Sequence, residues 1–275
     1  TYEDKIKKPI YIYGDRKNSK GLDLSEEDVI ESLQFSEKFN EIKAYSLING
    51  QDIKSDIEVD IKSPHNLSIL GKKYFANEKI TEDAIESLKK YSATWKKFDI
   101  EKKAEIFLKF ADLIEENTNE IIKICAKESG KSIKNSIAEI REAVDFCRYY
   151  SKEAINIFQT KTLKGPTGEL NQYKMVGKGL SFVISPWNFP VAIFIGQTVA
   201  ALITGNVVIT KPAEQSSFAA YYIIKLLLKA GLPNNAISLL LGDGALIGKE
   251  VINDKKLKNV IFTGSLETAK IIQSN

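Results

Sequence analysis

At 275 residues with 43% hydrophobic content, the chain is long enough for one large domain or two smaller ones with a real core. Its 39 basic and 36 acidic residues leave a net charge of +3, and the basic residues are scattered through amphipathic segments, which argues against a nucleic-acid partner. Two cysteines without a CxxC pair and a single histidine, His65, argue against a disulfide framework, a structural zinc site and a multi-histidine metal centre, and suit the reducing cytoplasm.

Residues Thr1 to Lys5 have no apolar signal segment behind them, and without a Met at position 1 the sequence reads as a piece of a longer product. Residues 1–55 are polar and weakly patterned, an N-terminal arm or connector in which Ser25 followed by Glu26, Glu27 and Asp28 predicts a helix N-cap with an acidic first turn. Ile57 to Ile61 alternates apolar with charged residues and predicts a short strand ended by Ser63-Pro64. Residues 56–157 are then mainly helical. One helix opens at Thr81 and runs to about Trp95. A second covers Asp99 to Asn117 with Ala104, Phe107, Leu108, Phe110, Ala111, Leu113 and Ile114 at helical spacing. A third ends at Gly130, a plausible C-cap. The fourth runs from Ser132 to Ile157, with Ile133, Ile137, Ile140, Val144, Cys147 and Tyr150 on related faces.

Residues 158–180 hold the turn Gly165-Pro-Thr-Gly168 and a strand from Gln172 to Met175. From 181 to 275 strands and helices alternate: strand to Ile184, helix Val191 to Ile203, strand Val207 to Thr210, helix Ser216 to Ala230. Strand Ile237 to Leu241, helix Ala245 to Ile252, strand Val260 to Phe262 and a helix from Glu267 complete the series. That order, with continuous β-branched runs, predicts an α/β fold with a Rossmann-like parallel sheet covered on both faces. Gly179 to Thr210 lacks any charged residue and exceeds the ~20 residues that span a bilayer. Pro186, Asn188, Pro190, Gln197 and Asn206 interrupt it, so it reads as buried strand, loop, helix and strand, with no membrane span.

Ligands of open parallel sheets bind beyond the carboxyl ends of the strands, and loops starting at Ser185, Lys211, Gly242 and Thr263 would share that edge. Asn188, between Trp187 and Phe189, can donate its amide to a developing oxyanion or satisfy its own turn. Lys211 and Glu214 can hold two ribose hydroxyls or form a solvated ion pair. Gly242-Asp-Gly244 with Gly248 resembles a phosphate loop, although such glycines also serve turn shape alone. Ser265 reads equally as an N-cap and as a phosphate ligand.

Trp-Asn-Phe-Pro, Lys-Pro-Ala-Glu-Gln-Ser, Ala-Gly-Leu-Pro, Gly-Asp-Gly and Phe-Thr-Gly-Ser, in that order, resemble the NAD-binding N-terminal half of the aldehyde dehydrogenase superfamily. Glu128-Ser-Gly-Lys131 is similar to that family's Glu-Thr-Gly-Lys segment. Tyr13-Gly14, Arg16, Asn18-Ser19, Gly21-Leu-Asp-Leu-Ser25, Arg141 to Phe146 and Gly165 to Glu169 are similar to the semialdehyde dehydrogenase module of bifunctional proline utilization proteins. The resemblance implies NAD as cofactor and glutamate γ-semialdehyde, in equilibrium with Δ1-pyrroline-5-carboxylate, as substrate, oxidised to glutamate. Position by position, it implies Asn188 in the oxyanion hole and Lys211 and Glu214 on the adenosine ribose. Ile184, Ser185, Pro186 and Trp187 would line the dinucleotide, and Ser265 would contact the pyrophosphate. Gly244 and Gly248 would let adenine and helix pack closely. Glu139 and Glu142 are either surface charges or carboxylates near the substrate's amine.

The family's reaction uses a thiolate that attacks the aldehyde and a Glu that activates water. Both motifs come after the Phe-Thr-Gly-Ser loop in family members and are absent from this sequence, while Cys125 and Cys147 read as buried helix residues. The expectation is a truncated chain, with the sheet incomplete and the catalytic domain absent, that is inactive alone. The alternatives are a noncatalytic nucleotide-fold module, a partner of a separate C-terminal chain, or another aldehyde dehydrogenase. An exposed edge strand near Val260 and the oligomerisation-type segment at Gln172 predict a homo-oligomer or a C-terminal partner.

Overall fold

The fold, taken from a computed structural model, is described for residues 6–7, 11–14, 16–33 and 42–274. Residues 1–5, read above for a signal segment, part of the N-terminal arm, and Asn275 lie outside that set.

A short helix, α1 (Glu27–Ser32), precedes five strands: β1 (Ile42–Ala44), β2 (Ser46–Ile48), β3 (Gln51–Ile53), β4 (Glu58–Lys62) and β5 (Ile69–Tyr74). Helices α2 (Glu78–Lys97), α3 (Ile100–Glu116), α4 (Thr118–Ser129) and α5 (Ile133–Phe158) form the middle of the chain, followed by the hairpin β6 (Lys161–Leu163) and β7 (Asn171–Tyr173). The remainder alternates: β8 (Leu180–Ile184), α6 (Ala192–Ile203), β9 (Val207–Lys211), α7 (Ser217–Lys229), β10 (Ile237–Leu239), α8 (Gly244–Ile252), β11 (Leu257–Phe262) and α9 (Leu266–Ser274).

Local chemistry sets the helix ends. Asn77 accepts the Ile80 N–H at 3.0 Å to start α2, and Asp99 accepts the Glu101 and Lys102 N–H groups at 3.0 Å to start α3. Helix α4 stops at Gly130, whose φ of 66° is the left-handed conformation a helix C-terminus favours. The apolar stripes Phe107, Phe110, Ala111 and Ile114 of α3 and Ile137, Ile140, Val144 and Cys147 of α5 are buried, and the two helices pack together. Leu108 falls about 100° round the helix from Phe107 and is exposed; so is Ile133, the first residue of α5.

The main sheet has the order β11-β8-β9-β10-β2-β3, with β11, β8, β9 and β10 mutually parallel and β2 antiparallel to β10. From β8 the chain steps through α6 to β9 and through α7 to β10, then returns through α8 to β11 on the other side of β8. That reversal places the topological switch point, where open α/β sheets bind ligands, between β8 and β11. Helix α6 packs on β8 and β9 with α5 behind it, while α2 lies against β8, β9 and β10 beside α8. The uncharged Gly179–Thr210 segment is therefore two buried strands and a buried helix joined at 187–189 by an exposed turn, and no helix among the described residues is long and apolar enough to cross a membrane.

Two readings of the N-terminal region differ from the structure. Ser46 to Ile53, within the weakly patterned arm, is a hairpin that extends the main sheet. Asn49 and Gly50, both at positive φ (53° and 75°), make the tight turn that Asn-Gly favours; strands of three residues carry too little alternation to be seen. Ser25 does not cap α1. Its N–H and hydroxyl both donate to Asp23 at 3.0 and 2.7 Å, and α1 starts two residues later. The arm around residues 16–25 is docked on α3 and α5: buried Arg148 donates to the Asn18 carbonyl and pairs with Asp112 and Glu115, and Ser19 bonds Asp145. The strand β11 is the sheet edge, and Leu266 and Ile271 beyond it are exposed.

Candidate active site

The ladder brings the predicted loops level. Phe262 stands opposite Ile184, and Ile184 opposite Lys211. One step further, the Ser185 N–H donates to the Lys211 carbonyl at 3.2 Å and the Thr263 N–H to the Ile184 carbonyl at 3.1 Å. The loops after β8, β9 and β11 thus leave one edge of the sheet side by side. The loop after β10 joins them at Gly244, where an added Cβ would lie 3.7 Å from the Lys211 ammonium nitrogen.

In the first loop, Ser185 is buried with its hydroxyl unpartnered, while Trp187, Asn188 and Phe189 are exposed. Pro186 and Pro190 fix φ and withhold two N–H donors, so this loop cannot hold itself in place with a backbone ladder. Its anchors come from the helical layer. The Lys131 ammonium donates to the Asn188 carbonyl at 2.7 Å and lies 4.2 Å from the centre of the Phe189 ring. Lys131 is ion-paired with Glu139, whose carboxylate accepts the Val191 and Ala192 N–H groups at 3.0 and 3.1 Å. Glu139 is therefore a buried cap of α6, which has no capping side chain of its own. Glu142 is exposed and, with Asn135, Trp187 and Asn188, lines an open pocket of about 580 Å³ beside the loop.

In the second loop Lys211 is buried, and burial lowers its pKa against the opposing pull of the Glu214 and Asp243 carboxylates. Its only hydrogen-bond acceptor among the described residues is the Pro212 carbonyl, at 3.1 Å, which leaves donors free. Glu214 opens the turn before α7; Lys73 donates to its backbone carbonyl at 2.6 Å, while its half-buried carboxylate has no hydrogen bond among the described residues. Helix α7 is capped like α6, from outside: Glu128 accepts the Phe218 and Ala219 N–H groups at 2.8 and 2.9 Å. Burial raises the Glu128 pKa to about 7.

The helices after the last two loops are capped from within their own sequence, and the Gln197 side chain of α6 and the Thr263 hydroxyl are hydrogen-bonded at 2.6 Å. Asp243 accepts the Leu246 N–H at 2.8 Å, so a carboxylate occupies the helix terminus that the Gly-Asp-Gly pattern offers to a phosphate. Ser265 caps α9, accepting the Thr268 N–H at 3.2 Å, and remains exposed at the same sheet edge. Gly248 lies one turn into α8, and beyond its own helix backbone nothing comes within 4 Å of where its Cβ would be. The ends of β8 and β9 thus bring Ile184, Ser185 and Lys211 together, with Pro186, Trp187 and Glu214 following in the same two loops; Asn188 is exposed in the first loop, and Ser265 follows two residues after Thr263, which bonds the Ile184 carbonyl.

Glu128, Lys131 and Glu139 support this edge, and the sequence reading assigned them no such task. A signal existed for Glu139: it falls on the buried stripe that runs through Ser136, Ile140, Ala143 and Cys147, where an acid requires a partner. Cys125 and Cys147 are both fully buried, and burial pushes the Cys125 thiol up to about 12 and the Cys147 thiol higher. No group of three or more potential metal ligands occurs among the described residues.

The model of the aldehyde dehydrogenase family matches residues 52–275. The bifunctional protein PutA of Salmonella typhimurium is 35% identical over 275 residues, which cover 98% of this chain and 20% of that protein. The 1-pyrroline-5-carboxylate dehydrogenase of Bacillus subtilis is 35% identical over 225 residues, 81% of this chain and 44% of its own length. A solved Thermus 1-pyrroline-5-carboxylate dehydrogenase with bound NAD superposes with a TM-score of 0.90 at 27% identity, covering 96% of this chain and 52% of that one. The chain spans half or less of the length of the first two. By the match over residues 52–275 and the shared fold, the chain belongs to the aldehyde dehydrogenase family.

Proposed function

We propose that these residues form the dinucleotide-facing side of an active site that oxidises L-glutamate γ-semialdehyde, the open form of Δ1-pyrroline-5-carboxylate, to glutamate with NAD. The observation that carries the reading is the convergence of the Ser185–Pro190, Lys211–Glu214 and Thr263–Ser265 loops at the switch point of an aldehyde dehydrogenase fold. The residues fit the cofactor: the Lys211 ammonium and Glu214 carboxylate retain free hydrogen-bonding capacity, the Ser185 hydroxyl is buried and unpartnered, and the space beside Gly248 is open. Lys211 and Glu214 would hold the ribose hydroxyls, Ile184 to Trp187 would line the dinucleotide, Gly244 and Gly248 would leave room beside α8, and Ser265 would meet the pyrophosphate. When bound, NAD supplies the hydride acceptor. Asn188 would donate to the aldehyde oxygen as charge develops there, and exposed Glu142, which lines the same pocket, would meet the substrate's amine. The names of the Bacillus and Thermus relatives support the choice of substrate, and the bound NAD of the Thermus structure the choice of cofactor.

Neither cysteine serves as nucleophile on this reading. A buried thiol with a pKa near 12 is almost wholly protonated at neutral pH, and a protonated thiol does not attack. The attacking thiolate has to come from a cysteine other than Cys125 and Cys147, so these residues alone are inactive. The proposed division assigns 1–55 to a connector, 56–157 and 181–275 to the NAD-binding domain, with the Ser46–Ile53 hairpin joined to its sheet, and 158–180 to oligomer contacts in the cytoplasm. The exposed Leu163, Leu170 and Tyr173 on and between β6 and β7 favour such a contact.

The test is NADH formation from NAD and Δ1-pyrroline-5-carboxylate, followed by absorbance. The chain alone gives none; adding a second chain that bears the family's nucleophilic cysteine restores it, and Asn188→Ala then lowers turnover by ~10²–10³. Turnover by this chain alone would overturn the assignment of the thiol, and failure to form NADH with every complement would overturn the activity.

A further inference from the structure

The support of Asn188 is unusual for a turn residue, and its bearing on the reaction rests on the reading of Asn188 as oxyanion donor. Residues 188–192 receive polar contacts from two side chains outside the loop, Lys131 just past the left-handed stop of α4 and Glu139 in α5. Glu139 takes the N–H groups of Val191 and Ala192, which is all that capping α6 requires. Lys131 contributes something a cap does not need. Its ammonium grips the carbonyl of Asn188, four residues before α6 begins, at 2.7 Å. It also lies over the face of Phe189, and the buried Glu139 carboxylate balances its charge.

We propose that Lys131, held by Glu139, is a positioning residue for the reaction: by pinning the Asn188 carbonyl it fixes the direction in which the amide of the same residue donates. An oxyanion donor acts only when it lies about 2.7–3.1 Å from where the charge develops, and a misplacement of about 1 Å costs on the order of 10² in rate. Between two prolines, the Asn188 peptide has no other anchor among the described residues. Glu128, three residues before Lys131, caps the helix that comes after the Lys211–Glu214 loop. One short segment therefore steadies both loops through separable contacts, and this gives the test an internal control.

Lys131→Met removes the charge and keeps the bulk; Lys131→Arg keeps the charge. Hydrogen exchange of the full chain decides the clamp whether or not turnover has been obtained. Lys131→Met is expected to speed exchange of segment 187–192 about 10-fold, to leave Phe218 and Ala219 unchanged, and to be reversed by Lys131→Arg. In the active complemented enzyme, Lys131→Met lowers kcat about 10- to 100-fold with the KM for NAD unchanged, and Lys131→Arg recovers most of it. Unchanged exchange at 187–192, or faster exchange spread equally over the chain, would overturn the clamp. Faster local exchange with kcat unchanged, or with kcat and NAD affinity falling together, would reduce Lys131 to a structural role and overturn the proposal. If wild type shows no turnover with any complement, the functional reading fails by itself, and exchange still judges the clamp.

Discussion

The four helices that come after the parallel strands begin in two different ways. The helices α6 and α7 have no capping side chain of their own and borrow buried carboxylates, Glu139 and Glu128, from 52 and 90 residues away. The helices α8 and α9 are capped by neighbours in sequence, Asp243 and Ser265. The first two helices are thus capped from the helical layer and the last two from their own sequence. The loops before α8 and α9 are tied to the rest of the fold at Leu241, which bonds Ala76 and Ser46, and at Thr263, which bonds Gln197 of α6. In the proposed site the loops before α6 and α7 carry the oxyanion donor and the ribose ligands, where geometry matters most.

Removing the borrowed caps is the strongest way to break this contrast. Glu139→Ala leaves the Lys131 charge and two buried N–H groups without a partner and should cost about 3–5 kcal/mol of stability in urea unfolding. A cost below about 1 kcal/mol, the size of an ordinary cap, would show that α6 does not depend on it. Glu128 adds a pH dependence. Its carboxyl titrates near 4.5 when unfolded and at about 7 in the fold, so as pH rises the unfolded chain loses its proton first. The stabilisation is complete below pH 4.5 and lost as pH climbs to about 7, by about 3 kcal/mol, with no further change above that. Glu128→Gln should lack that slope, read from unfolding curves on either side of this range, at about pH 5 and about pH 7.5.

Smaller effects belong to the local caps. Asp243→Ala and Ser265→Ala should each cost about 1 kcal/mol, and hydrogen exchange should speed only within α8 or α9, leaving 187–192 untouched. Smallest of all is the response of Cys125 and Cys147 to an alkylating agent: no modification of the native chain near neutral pH, and both modified in urea, counted by mass. Labelling of either in the native state would contradict their burial.

Most of the fold was legible, and the missing parts lack alternation: β5, Ile69–Tyr74, runs apolar-apolar-Gly-Lys-Lys-Tyr and shows none. The helices α2 to α8 and strands β8 to β11 repeat apolar residues often enough for the period to show, and Gly130, Asp99 and Ser132 marked helix ends that the structure keeps. The strands β1, β2, β3 and β6 are three residues each and show little alternation; β7 and β10 are as short but were placed by the turn and the strand–helix alternation around them, and Asn49-Gly50 was a usable hairpin signal for β2 and β3. At the site, the loops and their common edge came from the strand–helix alternation, each loop following directly after a strand. The Gly-Asp-Gly pattern could not reveal that Asp243 fills its own helix terminus. Nor could any local pattern reveal that Glu139 and Lys131 serve a loop more than 50 residues away, because such pairing exists only after the layers pack.

The central claim is that the loops before α6 and α7 hold a dinucleotide. Calorimetric titration of the chain with NAD tests it directly, comparing wild type with Lys211→Met and Glu214→Gln. Saturable one-to-one binding, weakened about 10-fold or more by either substitution as hydrogen bonds to the ribose are lost, is the predicted result. No binding at millimolar NAD, or binding indifferent to both substitutions, would contradict the account.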